Sequence, residues 1–344
     1  MVEWKKLGEV CTFNRGKTIT AKNAVEGNIP VIAGGQTPSY YHNVANRDGE
    51  SITVAGSGAY AGFISYWDQP IFVSDAFTVD PSDALIHKYL FYWLKEKQES
   101  IFATQKGAGV PHVHGKDISN LIIPIPSISV QLMIVGIIDT FTSSIDNLKK
   151  QIAQRRKQYE YYRDKLLDLE GKEGVEKKIS DFCLLKAGKS ISADDIYENR
   201  EGNKFPCIGG NGIRGYVSLY SHEGSYPVIG RQGALCGCVN WVTGKFYATE
   251  HAVVAKGKEN MDQRFLYYLF ENADLNQYKT QGAQPGLSVA KLNEVKFVIP
   301  SLSKQQRIVD ILDKFEASIQ NLEAQINLRE KQYEYYRNKL LTFD

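Results

Sequence analysis

"KQYEYYRDKLL", Lys157 to Leu167, and "KQYEYYRNKLL", Lys331 to Leu341, are one phrase written twice, differing only at Asp164 against Asn338. The copies stand 174 positions apart (331 against 157) in a chain of 344 residues, and the agreement continues far upstream. Asp139, Phe141, Ser144, Ile145, Asn147, Leu148, Gln151, Ile152 and Arg155 meet Asp313, Phe315, Ser318, Ile319, Asn321, Leu322, Gln325, Ile326 and Arg329. Ahead of them "IPSISVQLMIVGIID" aligns with "IPSLSKQQRIVDILD". The chain is a tandem duplication, and both halves end in the same element.

That element is a long helix with a heptad seam. Ile134, Ile138, Phe141, Ile145, Leu148, Ile152, Arg155, Tyr159, Tyr162, Leu166 and Leu169 recur at steps of four and three, and the second copy repeats the rhythm from Ile308 to Phe343. Ser303 followed by Gln306 reads as a capping box, and Gly171 with Gly174 as the stop of the first helix. From about Ser129 to Leu169 such a helix is about 60 Å long. Its seam would be wet if it stood alone, so the two copies are expected to pack on each other. Arg155 and Arg329, inside the seam, either fix register or snorkel to solvent.

The segments ahead of the helices share a skeleton but not its decoration. "RGKTI" faces "AGKSI", "VIAGGQ" faces "CIGGNG", and "HKYLFYWL" faces "QRFLYYLF". Short Val/Ile/Tyr/Phe runs broken by Gly read as strands and tight turns, with a helix near Ser82 to Lys97 and another near Asp262 to Glu271. The expected class is α+β: globular domains at 1–126 and 172–300, helices at 127–171 and 301–344. One scaffold presents two different sets of polar loop residues, and loops on a rigid frame are where recognition resides. The first set is Lys17, Thr18, Gln36, Tyr40, Ser57, Tyr60, Gln105, Lys106, His112, His114 and Lys116. The second is Lys189, Ser190, Asn211, Arg214, Arg231, Gln232, Gln281, Gln284, Ser288 and Lys291. Arg, Lys, Asn and Gln can pair two hydrogen bonds with base edges, while Ser, Thr and backbone amides suit phosphates.

Other chemistries find less support. Gly56 to Gly58 lacks the third glycine and downstream acid of a dinucleotide site, so a turn is expected. Five cysteines without paired CxxC spacing, and the two histidines of "PHVHG", do not make a metal site, and a reducing cytoplasm is expected. No apolar run is expected to cross a bilayer, and the basic run Lys149 to Lys157 reads as a solvated helix face or a track for a DNA backbone. A net charge of +2 leaves nucleic-acid binding to local clusters.

The doubled layout of a Gly-Lys-Thr/Ser strand end, a globular domain, an Ile-Pro-Ser stop and a "QYEYYR-KLL" helix resembles the DNA-specificity subunit of type I restriction-modification enzymes. The resemblance covers essentially the whole chain, the helix ending being its most specific part. It implies two similar target-recognition domains, each reading half of a bipartite double-stranded DNA target. It implies too that the long helices separate them as an antiparallel coiled coil, a pseudo-two-fold internal repeat that sets the spacer. No catalysis or cofactor is implied on this chain; S-adenosylmethionine would sit on two partner methyltransferase subunits, joined by restriction subunits. Family base contacts do not transfer by motif, so the loop residues remain inferences from residue type. Tyr159, Tyr161, Tyr162, Tyr333, Tyr335 and Tyr336 exceed what one seam can bury, which suits either a partner surface, with Tyr161, Tyr162, Tyr335 and Tyr336 as its candidates, or packing on the globular domains. The rival readings are a stand-alone DNA methyltransferase or nuclease, and a coiled-coil scaffold that binds only proteins. Against the first, no Asn/Asp-Pro-Pro-aromatic tetrapeptide is present; against the second, a symmetric scaffold has no need of unlike loops.

Overall fold

The long helices span Ile128–Leu167 and Leu302–Leu341 in the computed structural model, which describes residues 2–343 apart from 108, 170, 172–173, 201, 203, 234–235 and 281–285. The first helix ends short of Gly171, which takes a positive φ of 66°. The second opens one residue ahead of the expected cap, so Ser303 lies inside its first turn, with its hydroxyl 3.2 Å from that of Ser301. The chain folds as two compact units, Met1–Lys149 with Ala324–Asp344, and Lys150–Glu323. The units thus cut across the sequence segments: each joins one globular domain to the first half of its own helix and the second half of the other.

In the first unit Cys11–Arg15, Ala76–Pro81, Glu50–Ala55 and Ile64–Asp68 form an antiparallel sheet in that order, and Tyr40–His42, Ile29–Ile32 and Phe72–Val73 form a second. In the second unit the corresponding strands merge into one sheet, ordered Cys183–Ala187, Ala252–Gly257, His222–Gly230, Val239–Ala248, Phe205–Gly209, Gly212–Val217. The difference has a local cause. Pro70, without an N–H, interrupts the stretch between Ile64–Asp68 and Phe72–Val73, whereas Val239–Ala248 runs through. A two-stranded ribbon, Glu3–Lys6 with Ile122–Ile125, leads into the first helix, and Val175–Lys178 with Lys296–Ile299 into the second.

Each unit has its own core. Leu7, Ile52, Val54, Tyr89, Trp93, Ile123, Ile134, Ile138 and Leu341 cluster in the first; Leu167, Ile179, Phe182, Phe265, Tyr268, Leu292 and Leu312 in the second. Burying each such side chain stabilises by about 1.5–3 kcal/mol. The seam is antiparallel within each unit: Phe141 stacks on Tyr336 in one, Tyr162 on Phe315 in the other, both with ring centroids 5.4 Å apart. One 18-residue window of Ile128–Leu167 reaches a mean hydropathy of 1.6, long and apolar enough to cross a bilayer by those criteria, which corrects the expectation that none exists. Its apolar residues include Ile134 and Ile138 of the seam and Val135 beside them, all three buried in the first core.

The helices inside the globular domains, His87–Glu96 and Gln263–Asn272, are clamped to the long helices by matching triads. Asp139 takes Lys88 Nζ at 2.8 Å and the Tyr92 hydroxyl; Asp313 takes Arg264 Nε at 2.8 Å and the Tyr268 hydroxyl at 2.5 Å. Arg264 also binds Glu316 and stacks on Trp241, Tyr267 and Tyr268. Burial holds the Glu316 carboxyl above the ordinary carboxylate range even with Arg264 alongside. Arg264→Ala is expected to cost about 1–3 kcal/mol by removing the guanidinium that both acids share. Losing the cation raises the folded-state affinity of Glu316 for a proton further. The deficit should therefore deepen as pH rises from about 4 toward neutrality. Denaturant titrations at several pH values check this, and a pH-independent deficit would count against it.

Candidate nucleic-acid interface

Glycines bring the candidate loops together at one end of each unit's sheets. In the first unit a Cβ on Gly16 would lie 2.3 Å from Ser74 O, so only glycine lets the Lys17–Thr18 backbone rest on that strand end, where Lys17 N–H donates to Val73 O at 3.0 Å. A Cβ on Gly34 would lie 2.3 Å from Ser57 O, which seats the Gly34–Gln36 turn on the Gly56–Gly58 turn. Ser57 then bridges to His112, and its hydroxyl donates to Asp75. Phe13, Arg15, Asp75, His112 and His114 line a cavity of about 160 Å³ beside it, and the two imidazoles stack at 6.2 Å. Gly58 has a φ of 87°, as a turn requires.

The second unit repeats the construction with different side chains. Gly188 rests on Ala248 O at 2.1 Å from its would-be Cβ, and Gly230 on Gly210 O at 1.9 Å. Arg231 N–H donates to His251 O at 2.9 Å and Arg231 O accepts from Leu287 N–H at 2.8 Å, joining three loops. Asn211, Arg214 and Gln232 stand exposed around this junction. Arg231 Nε, Glu250 Oε2 and His251 Nδ1 are buried atoms there with no hydrogen-bond partner among the described residues. Exposed Lys189 and half-buried Ser288 flank it, and Lys291 lies on the short helix Val289–Asn293. Gln281 and Gln284 lie outside the described residues.

Several candidates position their neighbours. The Tyr40 hydroxyl donates to Ile19 O at 2.6 Å and steadies the Lys17–Thr18 segment; Gln105 Nε2 donates to Ala61 O at 2.7 Å, beneath the turn that carries exposed Tyr60. Lys106 is tied to Asp117. Burial pushes that carboxyl up, but Lys106 and the His114 N–H outweigh it and hold it below the ordinary range. Lys17, Thr18, Gln36, His112, His114 and Lys116 remain exposed.

The tyrosines of the repeated phrase divide into three roles. Tyr159 reaches Glu271 at 3.2 Å and packs on its globular domain, Tyr162 and Tyr336 stack in the seam, and Tyr161 and Tyr335 project, each 59% exposed. The equality of that exposure marks two equivalent surfaces. Arg155 and Arg329 lie over Phe315 and Phe141, both at 5.8 Å, so the seam arginines contact aromatic rings across it. Among the described residues no group of three metal-ligating side chains converges. Burial pushes the Cys11 and Cys183 thiols up to about 12, the behaviour of core cysteines.

Two positioning residues escape a reading by residue type. Gln131 and Gln305 are fully buried at equivalent places: each carboxamide accepts from the backbone ahead of a globular-domain helix and donates to two carbonyls. Their signal was the same glutamine at the same offset, four residues after each Ile-Pro stop's proline-serine pair. Asn46, which brackets Val73 through N–H and C=O at 2.7 and 2.9 Å, carries no such signal.

A family model described as "Type I restriction modification DNA specificity domain" matches residues 1–155 and 172–329. The type I restriction enzyme EcoprrI specificity subunit of Escherichia coli is 39% identical over 68% of this chain, and the match spans 62% of that relative. The crystal structure of the S subunit of a type I restriction-modification system from M. genitalium has the same fold, with a TM-score of 0.75 at 19% identity over 100% of this chain and 97% of that one. A chain from a structural study of type I complex assembly and conformational transition gives 0.60 at 17% identity, over 100% and 98%. Two family matches in tandem, falling on two units built alike with unlike polar faces, have one meaning: the chain belongs to the type I restriction-modification DNA specificity family.

Proposed function

We propose that this chain reads a bipartite double-stranded DNA target, one half-site per globular domain, and leaves methyl transfer and cleavage to partners. The observation that carries the reading is the pair of glycine-built loop junctions, equivalent in backbone and different in side chain: Lys17, Gln36, Ser57 and His112 on one, Lys189, Asn211, Arg231 and Gln232 on the other. Arg231 and Gln232 suit bidentate contacts with purine edges, and the lysines and hydroxyls suit phosphates. The paired helices set a fixed interval between half-sites. Tyr161 and Tyr335, with Lys165 and Lys339 near their rings at 5.6 and 5.9 Å, are two equal docking points for two methyltransferase subunits, which hold S-adenosylmethionine. Restriction subunits join through that complex.

Methylation mapping with a partner methyltransferase tests the assignment. Arg231→Ala should relax one half-site and Gln36→Ala the other, each by about 1–3 kcal/mol, at an unchanged interval. Methylation by the chain alone, a variable interval, or equal loss at both half-sites would count against the reading.

A further inference from the structure

The seam cannot distinguish one long helix from the other. Ile145, Leu148, Ile152 and Arg155 recur as Ile319, Leu322, Ile326 and Arg329, and the stacked aromatics and the arginine contacts recur with them. By those contacts a first helix would pack on the first helix of another copy as readily as on a second helix. The flank of the seam is different. Lys149 and Arg156 directly follow Leu148 and Arg155, while Glu323 and Glu330 directly follow Leu322 and Arg329. Equivalent positions therefore carry opposite charges.

The structure pairs them across the helices. Lys149 Nζ lies 3.6 Å from Glu330 Oε1 in one unit, and Arg156 Nη2 lies 2.6 Å from Glu323 Oε1 in the other. If two first helices met in the same register, Lys149 would face Arg156 twice; two second helices would set Glu323 against Glu330 twice. Each pair is partly exposed and weak alone. Selection, however, rests on the difference between two attractions and two repulsions, and charges flanking a heptad seam choose partners in this way.

We propose that Lys149, Arg156, Glu323 and Glu330 form a pairing code that directs a first helix to a second helix and rejects like helices from another copy. Each assembly then holds one of each globular domain, so its two faces stay unlike. The inference does not depend on what those faces bind.

The test uses two full-length variants with different tags. Lys149→Glu with Arg156→Glu makes all four positions acidic; Glu323→Lys with Glu330→Arg makes all four basic. Each variant alone has a like-charged flank, but a swapped dimer of one with the other restores every attraction. Co-expression should give a mixed 1:1 dimer, captured through one tag and weighed by light scattering, at least about tenfold above the wild-type pair at ~50 mM salt. It should be lost near ~1 M salt, where exposed charges are screened. The fourfold reversal, Lys149→Glu, Arg156→Glu, Glu323→Lys and Glu330→Arg in one chain, should return capture and melting temperature to wild type. Mixed capture at the wild-type level overturns the proposal, whether or not the single-sign variants melt lower, and so does failure of the reversal to restore. No DNA enters the assay, so its failure leaves the reading of the target untouched.

Discussion

Gly230→Ala is expected to abolish recognition of one half-site while the other stays readable. The new Cβ would sit 1.9 Å from Gly210 O, a backbone atom that no rotamer change can withdraw. The two strand ends must part, moving Arg231 and Gln232 on one side and Asn211 on the other. Overpacking of this kind costs about 1–3 kcal/mol, and displacing the two base contacts proposed for Arg231 and Gln232 adds about 1–3 kcal/mol each. Together they predict a loss of specific binding of roughly a hundredfold or more. Gly34→Ala, 2.3 Å from Ser57 O, should do the same to the opposite half-site. Gly136→Ala is the control: it lies in the first long helix with nothing within 4 Å and should be neutral, or stabilise by about 0.5–1 kcal/mol. Binding to duplexes altered in one half-site at a time distinguishes the cases. Equal loss at both half-sites from Gly230→Ala would detach this junction from recognition.

The same glycines show where a sequence stops being legible. Their presence in "VIAGGQ" and "CIGGNG" announces tight turns, because a turn is a local property. That Gly230 meets Gly210, or that Gly34 meets Ser57, is a contact between distant strands that no local pattern records. The long helices were legible down to their seam because period and offset are both linear properties. Which globular domain each half-helix packs on was not: Lys150–Leu167 and Ala324–Leu341 are so alike that either would satisfy either core. Residue type also overstates recognition. Tyr40 and Gln105 have the chemistry of base readers but spend it on Ile19 O and Ala61 O. Asp164 and Asn338, where the repeated phrase differs, each accept two hydrogen bonds from the preceding arginine.

Gln305→Leu should destabilise the second unit by about 3–5 kcal/mol. Leucine fills similar space but leaves three backbone groups dry. Asp262 N–H loses its acceptor at 2.8 Å, and Asn260 O and Pro300 O lose donors at 3.2 and 2.9 Å. An orphaned buried polar group costs about 1–3 kcal/mol, and Gln305 is fully buried, so water cannot take its place. For a unit of this size the melting temperature should fall by about 2–4 °C per kcal/mol. The exposed neighbour Gln306→Leu should shift it little, and a comparable shift from both would mean that packing, and not the lost hydrogen bonds, sets the cost. Gln131→Leu should act alike on the first unit, where the carboxamide holds Ile86 N–H, Ala84 O and Pro126 O. In both units the glutamine joins the start of a long helix to the segment entering the globular domain's own helix. It therefore ties each globular domain to the start of its own long helix, and the same three kinds of hydrogen bond, one accepted and two donated, do so in both units.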